Sequence, residues 1–157
     1  MPKSRSVSAS AAEKADRSDQ VVDIQVLKGK LGFRVRLAER AIYKAFVQKV
    51  EMTPIQYSLL TLVASNEGMS QGVLGEALNL DRATTMAIMD KLEDAGLVER
   101  RRSVIDRRRH ELYLTAKGRR RVVEAEKRVL ETDGVFKQRL SEKELREFVR
   151  FLDLMRE

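Results

Sequence analysis

The chain has 157 residues, a net charge of +7 at pH 7, a sequence pI near 9.9, one histidine and no cysteine. Without cysteine there are no disulfides, thiol redox switches or thiolate metal sites, and His110 alone leaves a zinc ion short of ligands, so no metal or cofactor is expected. No apolar run reaches the length of a membrane span and no apolar signal core opens the sequence, so a cytoplasmic chain built on one hydrophobic core is expected.

Residues 1–19 are rich in Ser, Ala and charge and almost lack large apolar side chains, which predicts a flexible tail. Lys3 and Arg5 leave open a weak contact between this tail and DNA. From 21 to 50 the residues Ile24, Leu27, Leu31, Val35, Ala38, Ile42, Ala45 and Phe46 recur at spacings of three and four, predicting one long helix. A stripe of that length needs a distant helix or a second chain to cover it. Thr53 as N-cap and Pro54 at the first helical position start the next helix, with Ile55, Leu59, Leu62 and Val63 facing inward.

Ser70 is the expected cap of a short helix that buries Val73, Leu74, Ala77 and Leu78, and Asp81 caps the longer helix that follows. Two helices joined by a tight turn form a helix-turn-helix. At 100° per residue, Thr85, Ile88, Met89 and Leu92 cluster on the core side of the second helix. Ala83, Met86, Ala87 and Asp90 lie opposite, with Arg82, Thr84 and Lys91 at the margins of that face.

That helix ends in Ala95-Gly96, and two apolar runs, Leu97-Val98 and Leu112-Tyr113-Leu114, then flank a hydrophilic tip. Between 99 and 121 stand ten Lys/Arg and three acids, a local excess equal to the whole net charge. A hairpin loaded with like charges is a poor stabiliser of itself and makes sense against a polyanion such as DNA. A capped helix followed at once by a basic hairpin is the layout of a winged helix-turn-helix. Thr115 then caps a long helix over about 116–139, and the capping box Ser141-Glu142-Lys143-Glu144 opens a last helix with the apolar stripe Leu145, Phe148, Val149, Leu152 and Met155.

Six pieces, in order, resemble the MarR family of bacterial transcription regulators. They are Met-Thr-Pro-Ile-Gln-Tyr at 52–57, Ser-Gln at 70–71 with Leu-Gly-Glu-Ala-Leu at 74–78, Leu-Asp-Arg at 80–82 running to Asp-Lys-Leu at 90–92, Ala-Gly-Leu-Val at 95–98, Asp-Arg-Arg at 106–108, and Leu-Thr-Ala-Lys-Gly at 114–118. The resemblance implies a mainly α fold with a small β-hairpin wing, in which a winged helix-turn-helix lobe over 51–118 sits between dimerisation helices over 20–50 and 119–157. It implies a homodimer, held here by Leu27, Leu31, Leu145, Phe148, Val149 and Leu152, and an effector crevice between the dimerisation helices and the lobe. Its Asp-x-Arg motif falls on Asp106 and Arg108, giving Arg108 the minor groove and Asp106 the task of positioning it. Arg107 and Arg109 alternate with Arg108 and are expected at phosphates. Ser70, Gln71 and Arg102 complete the expected DNA-facing set.

The chain departs from the family in its recognition helix. Met86 and Ala87 stand where many members carry a polar residue and an arginine. Apolar side chains contact thymine methyls but make no bidentate bonds to guanine, so an A/T-rich palindromic operator is expected. On the first helix, Lys28, Arg36, Arg40 and Lys44 fall at multiples of four residues with no acid among them. Two readings stand. Arg36, Arg40 and Lys44, with Tyr43 and Tyr57 as aromatic walls, hold an anionic effector such as an aromatic acid or an acyl-CoA-like thioester, or the stripe is a solvated face. An enzyme is disfavoured, because the sequence has neither a nucleophile–base pair nor a phosphate loop. A winged-helix module for protein or RNA is the remaining rival.

Overall fold

The structure, a computed structural model, describes residues 23–104 and 110–156. The tail at 1–19 and the wing tip with Asp106, Arg107, Arg108 and Arg109 lie outside the described residues. The chain divides into two compact units between Glu39 and Arg40, within one helix.

In the first unit the single long helix expected over 21–50 is interrupted. A short α1, Gln25–Lys28, ends at Gly29, and α2, Leu31–Val50, begins after it. Glycine costs a helix about 1 kcal/mol relative to alanine, and the apolar spacing that ran through Gly29 did not register it. The break is satisfied locally. Lys30 N donates to Leu27 O at 2.9 Å, and Arg34 Nε donates to Lys28 O at 2.9 Å. Lys28 thus stands before the break, and only Arg36, Arg40 and Lys44 of the basic series share α2.

The second unit carries the core. Helix α3, Pro54–Ser65, starts with a reciprocal capping box: Gln56 N donates to Thr53 Oγ1 at 3.3 Å and Thr53 N to Gln56 Oε1 at 2.9 Å. It buries Leu59, Leu60 and Val63. Leu59 and Val63 face inward as expected, Ile55 and Leu62 are only half-buried, and Leu60, not expected inward, is fully buried. Helix α4, Gln71–Glu76, and helix α5, Arg82–Asp94, form the helix-turn-helix. Gly75 sets how closely they meet, since a Cβ there would lie 2.2 Å from Thr85 Oγ1. Thr85 is buried and donates to Asp81 O at 2.8 Å. Leu74 and Gly75 are the buried residues of α4, whereas Val73 and Ala77 are exposed rather than inward. A helix this short presents only one narrow side to the core, and Gly75 occupies it.

Helix α5 ends in a Schellman motif. Gly96 takes φ +67°, Leu97 N donates to Leu92 O at 2.9 Å and Gly96 N to Glu93 O at 2.7 Å. The wing follows as β1, Val98–Arg102, and β2, His110–Leu114, antiparallel with Val98 opposite Leu114 and Arg102 opposite His110. Its base is anchored to the turn after α3: Gly68 N donates to Leu112 O at 2.9 Å and Leu112 N to Met69 O at 3.0 Å. Leu97, Val98, Leu112 and Leu114 point from the hairpin into the core beside Met89 and Leu92. Full burial of each such aliphatic side chain stabilises the fold by roughly 1.5–3 kcal/mol.

Helix α6, Ala116–Lys137, is capped by Thr115, whose Oγ1 accepts from Gly118 N at 2.9 Å. It closes the core with Ala125. Two of its arginines hold the end of α2. The Arg121 guanidinium donates to the carbonyls of Val50 and Glu51, and Arg128 donates to Lys49 O at 3.2 Å and Glu51 Oε2 at 2.6 Å. Cations at a helix C-terminus satisfy its last carbonyls and offset its partial negative charge. Glu51, at φ +57°, makes the corner into α3, and the adjacent Arg128 guanidinium holds its carboxyl below the usual range. Helix α7, Glu142–Leu154, opens with the Ser141–Glu144 capping box.

Candidate nucleic-acid interface

The capping of α5 fixes which of its faces looks outward. Asp81 Oδ1 accepts from Thr84 N at 2.8 Å and Oδ2 from Thr84 Oγ1 at 2.6 Å. The Thr84 hydroxyl and then its amide hold the Asp81 carboxyl below the usual range. With Thr85, Met89 and Leu92 locked into the core, Arg82, Ala83, Thr84, Met86, Ala87, Asp90 and Lys91 are exposed. Among the described residues neither Arg82 nor Lys91 forms a salt bridge. Thr84 is partly committed, since its hydroxyl donates to its own cap.

An open cleft of about 810 Å³ runs along this surface, lined by Ser70 and Gln71 of the α4 start, Arg82 and Met86 of α5, and Arg100 and His110 of the wing strands. Ser70 has the extended backbone of an N-cap, but its side chain makes no capping bond. Gln71 is engaged, accepting at Oε1 from Arg100 Nη2 at 3.1 Å.

The arginines of the wing divide into two sets. Arg100 pairs with Asp90, at 2.6 Å, and with Glu93. Arg101 pairs with Glu99 and lies 4.4 Å from the ring centre of Tyr113. Tyr113 OH donates to Glu111 at 3.0 Å, and the Ser103 and Tyr113 hydroxyls hold the Glu111 carboxyl low. Beyond the wing, Lys117 Nζ donates to Ala95 O at 2.7 Å and Arg119 pairs with Glu67 at 2.9 Å. Over the described residues the hairpin is thus less loaded with unbalanced like charge than its composition predicts, while the tip arginines lie outside them. Much of the local excess is spent inside the lobe, and Arg102, exposed at the end of β1, is the β1 arginine without a salt bridge among the described residues. Sequence reasoning missed the Arg100 cluster, whose signal was two acids three residues apart, Asp90 and Glu93, on the helix just before a basic strand.

The residues expected at an effector fall as follows. Arg40, Tyr43 and Lys44 are exposed on α2 in the second unit, and Arg36 is exposed in the first. Tyr57 is half-buried on α3, packs edge-on against Phe46 at 5.7 Å between ring centres, and donates its hydroxyl to Glu126 of α6. Burial, and then this bond to Glu126, push the Tyr57 phenol up. Glu126 was not among the expected residues. The apolar residues expected at a dimer contact are left largely uncovered: Leu27 and Leu31 in the first unit, and Phe148, Val149 and Leu152, with Leu145 half-buried, on α7. No helix among the described residues is long and apolar enough to cross a membrane.

A sequence model of the MarR family matches residues 51–109. The regulator assigned to the hcr operon of Thauera aromatica is 34% identical over 122 residues, covering 75% of this chain and 74% of that protein. The transcriptional repressor CouR, solved on a 23-mer DNA duplex, superposes with a TM-score of 0.79 at 29% identity over 88% of this chain and 100% of its own. CouR bound to p-coumaroyl-CoA gives 0.78 at 28% identity over 86% of this chain and 97% of its own. The PcaV regulator of Streptomyces coelicolor, solved with its natural ligand, gives 0.73 at 30% identity over 87% of this chain and 94% of its own. A helix-turn-helix with a hairpin wing, a family match within that lobe and a transcriptional regulator 34% identical over three quarters of this chain lead to one conclusion: this chain belongs to the MarR family and is a transcriptional regulator.

Proposed function

We propose that the chain is a cytoplasmic, homodimeric repressor that grips a palindromic A/T-rich operator and leaves it when a small anionic effector binds. The observation that carries the DNA half is the split of α5. Its core residues fix the helix, while Arg82, Ala83, Met86, Ala87 and Lys91 stand exposed beside the wing. Ala83, Met86 and Ala87 offer methyl contacts and no bidentate donors, which favours thymine over guanine. Arg82, Lys91, Arg102, Arg107 and Arg109, with the polar Ser70, Gln71 and Thr84, are assigned to the phosphate backbone. Arg108, set by Asp106, is assigned to a narrow minor groove. That CouR was solved on a DNA duplex supports duplex DNA as the partner of this lobe.

Dimerisation is assigned to Leu27, Leu31, Leu145, Phe148, Val149 and Leu152; all but the half-buried Leu145 carry exposed apolar surface for which a second chain is the natural cover. The effector is assigned to Arg36, Arg40, Tyr43, Lys44 and Tyr57. Support comes from CouR with p-coumaroyl-CoA and PcaV with its ligand, and from three α2 cations at four-residue spacing without a salt bridge among the described residues. A purely solvated basic face is the second reading, favoured by the exposure of Arg36, Arg40 and Lys44.

The experiment is selection of bound duplexes from a randomised pool, followed by affinity measurements across salt concentrations. An A/T-rich inverted repeat with half-sites about one helical turn apart is expected, with affinity falling steeply as salt rises. Half-sites dominated by G·C, or a flat salt dependence, would overturn the reading.

A further inference from the structure

The exposed face of α5 contains a contradiction. Asp90 stands on the side assigned to DNA, with about half of its side chain exposed, and Glu93 lies one turn behind it. Carboxylates facing phosphate are repelled, and an aspartate in the major groove can only accept, from cytosine N4. Arg100 resolves this. Its Nη2 donates to Asp90 Oδ1 at 2.6 Å and to Gln71 Oε1 at 3.1 Å, and its Nη1 donates to Glu93 Oε2. One arginine, its side chain about four-fifths buried, thus ties β1, α5 and the first residue of α4 together. The planar fork permits this, while a lysine ammonium has no fixed pair of donor directions.

We propose that Arg100 is a positioning residue for DNA recognition. It withdraws and neutralises the Asp90 carboxylate, so that the apolar patch of Ala83, Met86 and Ala87 meets the bases without an unpaired negative charge, and it holds Gln71 and the wing base in register with α5. Arg100 itself does not contact DNA. Its charge is used internally, and its effect on affinity runs through Asp90. The inference rests on the proposed orientation of α5 toward DNA.

The test is a set of variants titrated against the selected duplex, each checked for fold by thermal melting. Arg100→Gln should weaken binding on the order of ten- to a hundred-fold, the scale at which a lost charge pairing reads out at a DNA interface. Adding Asp90→Asn to Arg100→Gln removes the stranded carboxylate and should recover most of that loss, while Asp90→Asn alone should stay close to wild type. Arg100→Lys, with the charge kept and the fork lost, should fall between, and it carries the same cycle if Arg100→Gln does not fold. Unchanged affinity in Arg100→Gln, or a double variant as weak as the single one, overturns the proposal, because the residue would then be idle or would serve phosphate or fold directly. Ala87→Glu separates this inference from the reading beneath it. A new carboxylate on the same face should abolish binding, and if it is harmless then α5 does not face DNA, whatever Arg100 does.

Discussion

Gly118 sits against the carbonyl of Leu97, so closely that a Cβ at position 118 would lie 1.9 Å from that oxygen. The same oxygen accepts from Thr115 N at 3.1 Å, which seats the first turn of α6 directly on the residue that leads into the wing. Backbone on both sides leaves no flexible side chain to move aside.

Gly118→Ala should therefore destabilise the fold although alanine favours helices. Overpacking against backbone costs roughly 1–3 kcal/mol and the propensity gain offsets about 1 kcal/mol of it, for a net loss of up to about 2 kcal/mol. Thermal melting of the two proteins measures it. An equal or raised Tm would show that α6 can back away from Leu97 freely.

Arg108→Ala should weaken operator binding by roughly 1–3 kcal/mol, with an unchanged melt, if the arginine serves only DNA. Titrations against the selected duplex check it. Equal affinity at equal stability would remove the wing from the interface.

Much of the local architecture was legible because its causes are local. The caps at Thr53, Asp81, Thr115 and Ser141 each act within three residues, and all four make their bonds. The division of α5 into core and outward faces followed from helical periodicity once Asp81 fixed its start. What could not be read is what depends on distance along the chain. Arg100 and Gln71 are 29 residues apart, and Tyr57 and Glu126 are 69 apart, so no spacing rule connects them. The break at Gly29 escaped because apolar residues kept helical spacing across it, and Val73 escaped because a six-residue helix gives periodicity too little length to act on.

Leu152→Asp places a charge on the apolar stripe of α7, at a position two-fifths exposed in the single chain. If that stripe is a dimer contact, burying the unpaired carboxylate is strongly unfavourable, and sedimentation should find monomers that no longer hold a palindromic duplex. A dimer of ordinary stability would place the contact elsewhere.

Stability should depend on pH through Asp81. Its carboxyl is held below the usual range in the fold, so its contribution is present above the ordinary carboxylate pKa and is lost as pH falls through the lowered value. Asp81→Asn keeps a capping oxygen but does not titrate. The Tm advantage of the wild type over this variant should thus shrink on going from about pH 6 to about pH 3. A difference constant across that range would mean the charge of Asp81 does nothing for α5.

Arg40→Ala separates the two readings of the α2 cations. If they hold an anionic effector, ligand-free DNA binding stays near normal and the ligand response is blunted, in a system where a coupling of about 1–3 kcal/mol changes DNA affinity about 5–150-fold. Titration of DNA with and without a panel of aromatic carboxylates and acyl-CoA thioesters reads both quantities. Loss of ligand-free binding would instead put Arg40 on phosphate, and no change in either quantity would leave a solvated face.

The grip of Arg121 and Arg128 on Lys49, Val50 and Glu51 bears on how this protein can be cut. The family match ends at residue 109, which invites excision of the winged lobe as a fragment. A fragment of residues 51–109 would lose Val50, Leu112, Leu114 and Ala125, all buried in the core, and with them both sides of the contact between α2 and α6. The smallest piece able to fold cooperatively therefore reaches from the last turns of α2 through the middle of α6. A DNA-binding module grafted into another protein should carry both ends of that clasp.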